Sequence, residues 1–177
     1  MQNKYHNPED IYSFFKSKQA PERLIKHHQL VVEAATEIIA GLKDNFPSLN
    51  CDYQQVLLGA AIHDAGKIIF TDEITSPGNR HELEGEKYLI ELGVSANLAR
   101  FCRTHANWDD SSNALEDLLV TLADTLWKGC RLEQLEQIVV SRISCSIRQD
   151  FWNTFIVADA LFEAIGDRGT DRLNRSW

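Results

Sequence analysis

Apolar residues recur along this chain at the three- and four-residue spacing of amphipathic helices, and the two-residue alternation of a strand is nearly absent. The clearest stripe lies on one face of a helix that we predict from Pro21 to about Gly41, because proline suits a first helical turn. We expect this face to look into the core. Its members are Leu24, Val31, Ala35, Ile38 and Leu42.

The same spacing, with capping residues, prolines and glycines at its limits, predicts further helices along the chain. Their expected ranges are 9–18, 53–63, 81–92, 95–106, 113–129, 132–147 and 151–165. Asp52 with Gln55, and Asn113 with Glu116, have the spacing of capping boxes. Periodicity is lost between 66 and 80, which predicts a loop, and a polar tail follows Gly166. The pattern predicts an all-α, single-domain helical bundle over residues 1–177.

The composition is that of a soluble globular protein, with 177 residues of which 44% are apolar and 25% charged. A net charge of −8 argues against nucleic acid or an anionic membrane as a partner, because like charges repel at long range. The N-terminal residues lack the apolar segment of a signal peptide, and no apolar run is long enough for a membrane span. A cytoplasmic location is therefore expected, in which the four cysteines stay reduced.

Candidate chemistry begins with the adjacent pair His63 and Asp64, which ends an apolar helix-like segment just before Gly66. An imidazole nitrogen beside a carboxylate oxygen suits a divalent metal such as Mn, Fe or Zn, and burying both without such a partner is costly. The pair by itself is a weak signal, because it also serves as an ordinary helix end. Further ligands have to come from elsewhere in the chain.

Four other histidines lie at positions that can face the interior. On a helical wheel His27 and His28 flank the stripe of the first long helix, and periodicity does not choose between them. His105 falls on an inward stripe, so it is either a packed core histidine or a ligand. His81 opens a helix, and Gly85 one turn later on the same face would let a ligand or another helix come close.

Asp124 presents two alternatives. It lies nine residues after Leu115 and so about 180° from the leucine stripe of its helix, which predicts a solvated carboxylate. However, Val120, Ala123 and Trp127 form a second apolar strip beside it. The helix would then be buried on two sides, with Asp124 pointing at something other than water.

Three of these segments stand in an order that resembles the HD-domain metal-dependent phosphohydrolase superfamily. They are the helix segment that ends in His27, the run His63-Asp64-Ala65-Gly66-Lys67, and the segment that ends in Asp124. The resemblance covers about 21–131, with the predicted helices of 132–166 packed on this motif core, and the ordered set is far more specific than one motif.

The resemblance also separates the two neighbouring histidines of the first long helix. In the family the first histidine is followed by an apolar residue four positions on and a small one eight on. His27 has Val31 and Ala35 there, whereas Thr36 lies eight residues after His28. The resemblance therefore favours His27 as the ligand.

His81 and His105 match the order of two extra histidines in some branches of the family, such as the HD-GYP phosphodiesterases and the HD-type diadenosine tetraphosphate hydrolases. The GYP signature is not visible in this sequence. The resemblance implies one or two divalent ions, of Mn, Fe, Zn, Co or Ni with Mg as a further candidate, and a bridge through Asp64. The implied ligands are His27, His63, Asp64, His81, His105 and Asp124.

The activity that the resemblance implies is hydrolysis of a small phosphorylated substrate, a phosphomonoester or phosphodiester of nucleotide type, by metal-activated water. Asp64 would bridge or orient the metal ions as a catalytic residue. Lys67 matches the lysine that follows the His-Asp pair in the family and is the first candidate for catalytic contact with a substrate phosphate. Other cations close in sequence to the expected ligands are candidate substrate contacts, although each is also consistent with ordinary surface charge: Arg80, Arg103, Lys128 and Arg131.

The same residues are also consistent with other functions. Some members of the superfamily use a similar histidine-rich di-iron site as oxygenases, and ligand identity does not separate the two chemistries. A regulatory module that binds metal or nucleotide without turnover, or a purely structural bundle, is also consistent with these residues. Aromatic residues of the last predicted helix are either core or the face of a homodimer: Phe151, Trp152, Phe155 and Phe162.

Overall fold

The structure, a computed structural model, describes residues 5–176 and is all-α, with no strand in that range. In chain order the helices are α1 (Pro8–Ser17), α2 (Glu22–Asn45), α3 (Tyr53–Ile62), α4 (Arg80–Glu91), α5 (Ala96–Ala99), α6 (Phe101–Thr104), α7 (Leu115–Leu126), α8 (Glu133–Ile147), α9 (Phe151–Gly166) and α10 (Gly169–Asn174). The predicted all-α class is confirmed. No helix in the described part of the chain is both long and apolar enough to cross a membrane.

Helix α3 is the centre of the bundle, because its sequence is apolar on nearly every side and has to be covered all round. It packs against α1, α2, α5, α6 and α7. Asp52 caps its start by accepting a hydrogen bond from the Gln55 amide at 3.0 Å, as the spacing predicts. His63 and Asp64 follow directly after its last turn and are therefore carried into the interior.

Helix α2 buries its predicted apolar stripe but continues to Asn45, one turn beyond the predicted end at Gly41. The glycine serves a close helix contact rather than a helix end. A Cβ atom at Gly41 would clash with the side chain of Leu161 on α9. Glycine was a misleading stop signal here, since sequence spacing does not distinguish a terminus from a packing site.

Two other predicted boundaries are wrong. The single helix expected over 95–106 is divided into α5 and α6, because the Arg100 carbonyl accepts from the amides of both Arg103 and Thr104 and tightens the turn. Helix α7 is not capped by Asn113. Instead the Asp117 carboxylate accepts from the Ala114 amide at 3.0 Å.

The residues after Gly166 form helix α10 rather than the predicted polar tail. Its anchor is Arg172, which is fully buried and donates hydrogen bonds to Glu33 and Glu37 on α2. The prediction was wrong because this helix is held by charged groups, which leave no hydrophobic period in the sequence.

The predicted loop of 66–80 is confirmed as far as residue 79, after which α4 begins, and it contains two short 3₁₀ turns, Ala65–Ile68 and Thr71–Ile74. The first turn packs against α4. Gly85 on α4 allows this approach, since a Cβ atom there would lie 2.9 Å from the Cα of Gly66. The loop therefore brings the start of α4, and His81 with it, to the end of α3.

Candidate metal centre

The end of α3 is the meeting point of donors from three helices. The Nε2 atom of His27, on α2, lies 3.3 Å from the Nε2 atom of His63 and 3.3 Å from Oδ2 of Asp64. Oδ1 of Asp124, near the end of α7, lies 3.5 Å from the Nε2 atoms of both His27 and His63. Four side chains from three segments that are far apart in sequence thus converge on one point.

The carboxylate of Asp64 faces two sides of this cluster. Its Oδ2 atom faces His27, whereas its Oδ1 atom lies 3.1 Å from Nε2 of His81 and 3.5 Å from Nε2 of His105. Asp64 is buried and central, with one oxygen for each side. Carboxylates in this arrangement are typical of bridging ligands between two cations.

Backbone carbonyls determine which nitrogen His63 and His105 present to the cluster. Nδ1 of His63 donates to the Ala60 carbonyl at 3.0 Å, and Nδ1 of His105 donates to the Phe101 carbonyl at 2.9 Å. In a neutral imidazole the other nitrogen then carries a lone pair. In the neutral form of each ring, Nε2 therefore faces the cluster as an acceptor, which is the state in which histidine binds a metal.

His28 has a different role from its neighbour His27. Its Nδ1 atom donates to the Leu24 carbonyl at 2.8 Å, and its Nε2 atom accepts from the Asp64 backbone amide at 3.3 Å. Both nitrogens are thereby engaged with the backbone, and the ring is fully buried. His28 supports the chain at Asp64, while His27 points into the cluster.

Asp124 takes the second of its two alternatives. Helix α7 is buried on all sides from Asp117 to Ala123, so its position opposite the leucine stripe does not bring Asp124 into bulk water. The Trp127 ring, one turn later, packs edge-on against His27 with the ring centroids 5.1 Å apart. The second apolar strip is thus the wall that encloses the cluster.

The charges of the cluster follow from its geometry. Burial raises the pKa of Asp64 and Asp124, but the adjacent His63 and His27 outweigh burial and hold both values below the usual range. Burial and the neighbouring His63 lower the pKa of His105 to about 4. At neutral pH the cluster therefore contains ionised carboxylates and a neutral His105.

The carboxylates around His63 favour its protonated form. Burial lowers its pKa, but the carboxylates of Asp64 and Asp124 together raise it above the ordinary value. A divalent ion would compete with this proton, since a histidine ligand has to be deprotonated.

The donor set fits a divalent metal. Oδ1 of Asp64 is buried without a hydrogen-bond partner among residues 5–176, and it faces the lone pair of His105. Two acceptors that face each other in the interior are unfavourable unless a cation lies between them. Donors about 2.1 Å from a common ion are about 3.0 to 3.4 Å apart, close to the separations seen here.

Two overlapping groups of three donors meet the distance requirement for an ion among the described residues. One contains His27, His63 and Asp124, and the other contains His63, Asp64 and His105. His81 belongs to neither group, although its Nε2 atom contacts Asp64. The six residues that the resemblance implies as ligands thus lie at one place, with His81 at its edge.

Sequence reasoning missed a seventh residue, Glu73. Its side chain is 3% exposed, and its Oε2 atom accepts from Nδ1 of His81 at 2.6 Å. Burial raises the pKa of Glu73, but the hydrogen bonds from His81 and Arg80 lower it to about 2. Glu73 lies in the loop without periodicity, and an acidic residue in such a loop gives no signal in the sequence.

The cations proposed to contact substrate have different surroundings. Nζ of Lys67 lies 2.5 Å from Oδ2 of Asp64, and Lys67 lines a pocket that opens over the cluster. Arg80 pairs with Asp72 and Glu73, away from that position. Arg103 pairs with Glu86, and Arg131 pairs with Glu136 and Asp159. Lys128 is exposed just after α7, and its charge helps to lower the pKa of Asp124.

The pocket has a volume of about 250 Å³. Its base contains His27 and Asp64, and Trp127 forms part of its wall. Leu173 on α10 and Ser176 complete the lining on the C-terminal side. The helix that the sequence did not predict therefore borders the candidate site.

Comparison with known proteins gives one family. The sequence model of the HD domain matches residues 22–127, more than half of the chain, and this range includes all seven residues described above. No curated protein and no solved structure matches the chain. The cluster at the end of α3 and the range of the match agree, and the chain belongs to the HD domain family.

Proposed function

We propose that this protein is a metal-dependent phosphohydrolase that acts on a small phosphorylated substrate of nucleotide type. The observation that supports it most strongly is the buried Asp64 carboxylate. It presents one oxygen to His27 and the other to His81 and His105, below a pocket open to solvent. Most members of the HD domain family are metal-dependent hydrolases.

The proposed ligands divide into two sides. His27, His63, Asp64 and Asp124 would hold one divalent ion, and His105 with His81 would hold a second through the shared Asp64 carboxylate. Mn, Fe, Zn, Co and Ni suit such a mixed imidazole and carboxylate set, and Mg is a weaker candidate because it prefers oxygen ligands alone. When bound, such ions lower the pKa of a coordinated water and withdraw electron density from phosphoryl oxygens.

The protein residues supply orientation and charge. Backbone carbonyls hold the rings of His63 and His105, so the Nε2 atom of each ring points inward before any ion arrives. Such preorganisation avoids rearrangement during the reaction. Lys67 holds its ammonium group at the pocket side of Asp64, where it can exchange this contact for a phosphate oxygen of the substrate.

The pocket supports a small substrate. A volume of about 250 Å³ accommodates a phosphate with a compact organic group but not a folded nucleic acid. The lining combines the polar base with apolar side chains of Leu24, Trp127 and Leu173, which suits a flat or hydrophobic group attached to the phosphate. The net charge of −8 also disfavours a polyanion as substrate.

Metal analysis followed by a substrate screen tests the proposal. Protein purified without chelator is analysed for metal atoms per chain, stripped, reloaded with single metals, and assayed for hydrolysis: phosphate released from nucleotide monoesters, and monoester formed from nucleotide diesters. We expect at least one loaded form to hydrolyse a substrate and Asp64→Ala to hydrolyse none. Asp171→Asn, which alters an exposed carboxylate on α10, is the matched control and should stay active.

Two outcomes would contradict the proposal. Tight nucleotide binding without product under every metal would indicate a regulatory module. Oxygen uptake by the iron-loaded protein, with no ester hydrolysis by any loaded form, would indicate an oxygenase.

A further inference from the structure

Glu73 is a buried carboxylate that reaches the cluster through His81 and, among residues 5–176, through no other ligand. Oε2 of Glu73 accepts from Nδ1 of His81 at 2.6 Å and from the His81 backbone amide at 3.1 Å. Its other oxygen accepts from Nε of Arg80 at 2.8 Å. Both carboxylate oxygens are thus committed to the first two residues of α4.

The loop is shaped to deliver this side chain. A Cβ atom at Gly78 would clash with the carboxylate of Glu73, and a Cβ atom at Gly66 would clash with the backbone of His81. Asn79, the residue at the N-cap position of α4, makes no side-chain cap hydrogen bond. Glu73 therefore takes over the capping of α4 from a distance of several residues, which places it beside the His81 ring.

We propose that Glu73 is the positioning residue of His81. Glu73 holds the imidazole ring so that His81 can serve as a ligand of the second metal ion. A carboxylate that accepts from Nδ1 requires the proton to be there, so the lone pair is on Nε2, the atom 3.1 Å from Oδ1 of Asp64. The inference rests on the proposed function in one respect, namely that an ion binds at Asp64.

The carboxylate also makes His81 a stronger donor than its neighbours. His63 and His105 donate Nδ1–H to neutral carbonyls, whereas His81 donates to an ionised group. A carboxylate behind an imidazole increases its basicity, and loss of such a partner weakens metal affinity by about 10- to 100-fold. This compensates for the position of His81 at the edge of the cluster.

Cobalt titration of variants tests the proposal. Co²⁺ is added to metal-free protein, and its absorption spectrum and bound atoms per chain are followed. Glu73→Ala should bind the more weakly held Co²⁺ about 10- to 100-fold less tightly than wild type. Asp72→Ala is the matched control, because Asp72 lies in the same turn and also pairs with Arg80 but does not touch His81. It should bind within about twofold of wild type.

A double variant distinguishes positioning from general damage to the loop. If Glu73 acts through His81, the double variant Glu73→Ala with His81→Ala should bind Co²⁺ no more weakly than His81→Ala alone, because both substitutions remove the same metal–ligand interaction. Losses that add, or a Glu73→Ala variant that binds like Asp72→Ala, would overturn the proposal. Glu73→Gln, which offers one acceptor oxygen in place of two, should lie between wild type and Glu73→Ala.

Nitrogen NMR of the metal-free wild type supplies a readout that needs neither a stable variant nor a bound ion. At alkaline pH, long-range proton–nitrogen spectra should show His81 with its proton on Nδ1. A proton on Nε2, or an averaged signal, would overturn the positioning role. If the tautomer is as expected but wild type binds no Co²⁺, the proposed function fails while the contact between Glu73 and His81 stands.

Discussion

Helix α2 carries two clusters of polar groups that are built in opposite ways. Near its start, His27 joins a cluster of nitrogen and oxygen acceptors in which Oδ1 of Asp64 has no hydrogen-bond partner within residues 5–176. Farther along, Glu33 and Glu37 surround Arg172 of α10, and each guanidinium nitrogen donates a hydrogen bond. In the first cluster one buried carboxylate oxygen has no hydrogen-bond donor, whereas in the second every guanidinium nitrogen of Arg172 has an acceptor.

The difference separates a functional cluster from a structural one. A buried polar group normally finds a partner, so a buried carboxylate oxygen that faces imidazole nitrogens without a hydrogen-bond donor indicates that a cation belongs beside it. The cluster around Arg172 is complete, and its role is to hold α10 against α2. Burial alone does not distinguish the two, since Arg172 and His63 are both fully buried.

The largest effect expected is on metal binding at the first cluster. Asp64→Ala should weaken Co²⁺ binding by at least about 100-fold, because one residue supplies oxygens to both sides. In the absence of metal its free energy of unfolding should stay within about 1 kcal/mol of wild type, since the lost contact with Lys67 is offset by removal of a buried oxygen that has no hydrogen-bond partner. Equilibrium titration and urea unfolding measure the two quantities. A metal-free Asp64→Ala protein that is several kcal/mol less stable would break the comparison.

The opposite pattern is expected at the second cluster. Arg172→Met should lower the free energy of unfolding by about 2 to 3 kcal/mol, less than for a fully buried ion pair, because Glu33 and Glu37 keep partial contact with water. Its Co²⁺ affinity should stay within about threefold of wild type. Thermal and urea unfolding test the first statement and titration the second. A large loss of metal affinity would show that the two clusters are not independent.

The two adjacent histidines of α2 repeat the comparison on a smaller scale. His28→Ala should lower stability by about 2 kcal/mol, because it leaves buried backbone groups without partners, and should change metal affinity only severalfold. His27→Ala should instead lower metal affinity strongly and change stability little. The same two measurements decide, and equal effects of both variants on metal affinity would contradict the roles assigned to the rings.

The smallest effect concerns pH. Hydrogen bonds from Arg175, with smaller contributions from Arg172, hold the pKa of Glu33 below its ordinary value of 4.5. The stability that this ion pair contributes is therefore complete at neutral pH and is lost as the pH falls from about 4.5 through the lowered value. Arg175→Gln should show a shallower loss over that range in urea unfolding at a series of pH values. An unchanged dependence of the unfolding free energy on pH would show that Arg175 does not stabilise the ionised form of Glu33.

Much of the architecture was accessible from the amino-acid sequence. The spacing of apolar residues predicts α1, α2, α3, α4, α7, α8 and α9, because each of these helices buries a periodic face and the period is written in the residues themselves. The ordered segments around His27, His63 and Asp124 indicated the HD domain, which the family match over 22–127 shows. The spacing of apolar residues is sufficient to predict a helix where residues close in sequence are buried on the same face.

Only the tertiary structure decided what depends on contacts between distant residues. The backbone partners of His28, the inward position of Asp124, the carboxylate of Glu73 behind His81, and the helix held by Arg172 all arise from groups far apart along the chain. A hydrogen bond or ion pair leaves no period in the sequence, because it needs one partner at one place rather than a repeated face. The sequence thus determined the helices with a periodic apolar face and the residue types that can bind a metal. The packing determined which of those residues meet.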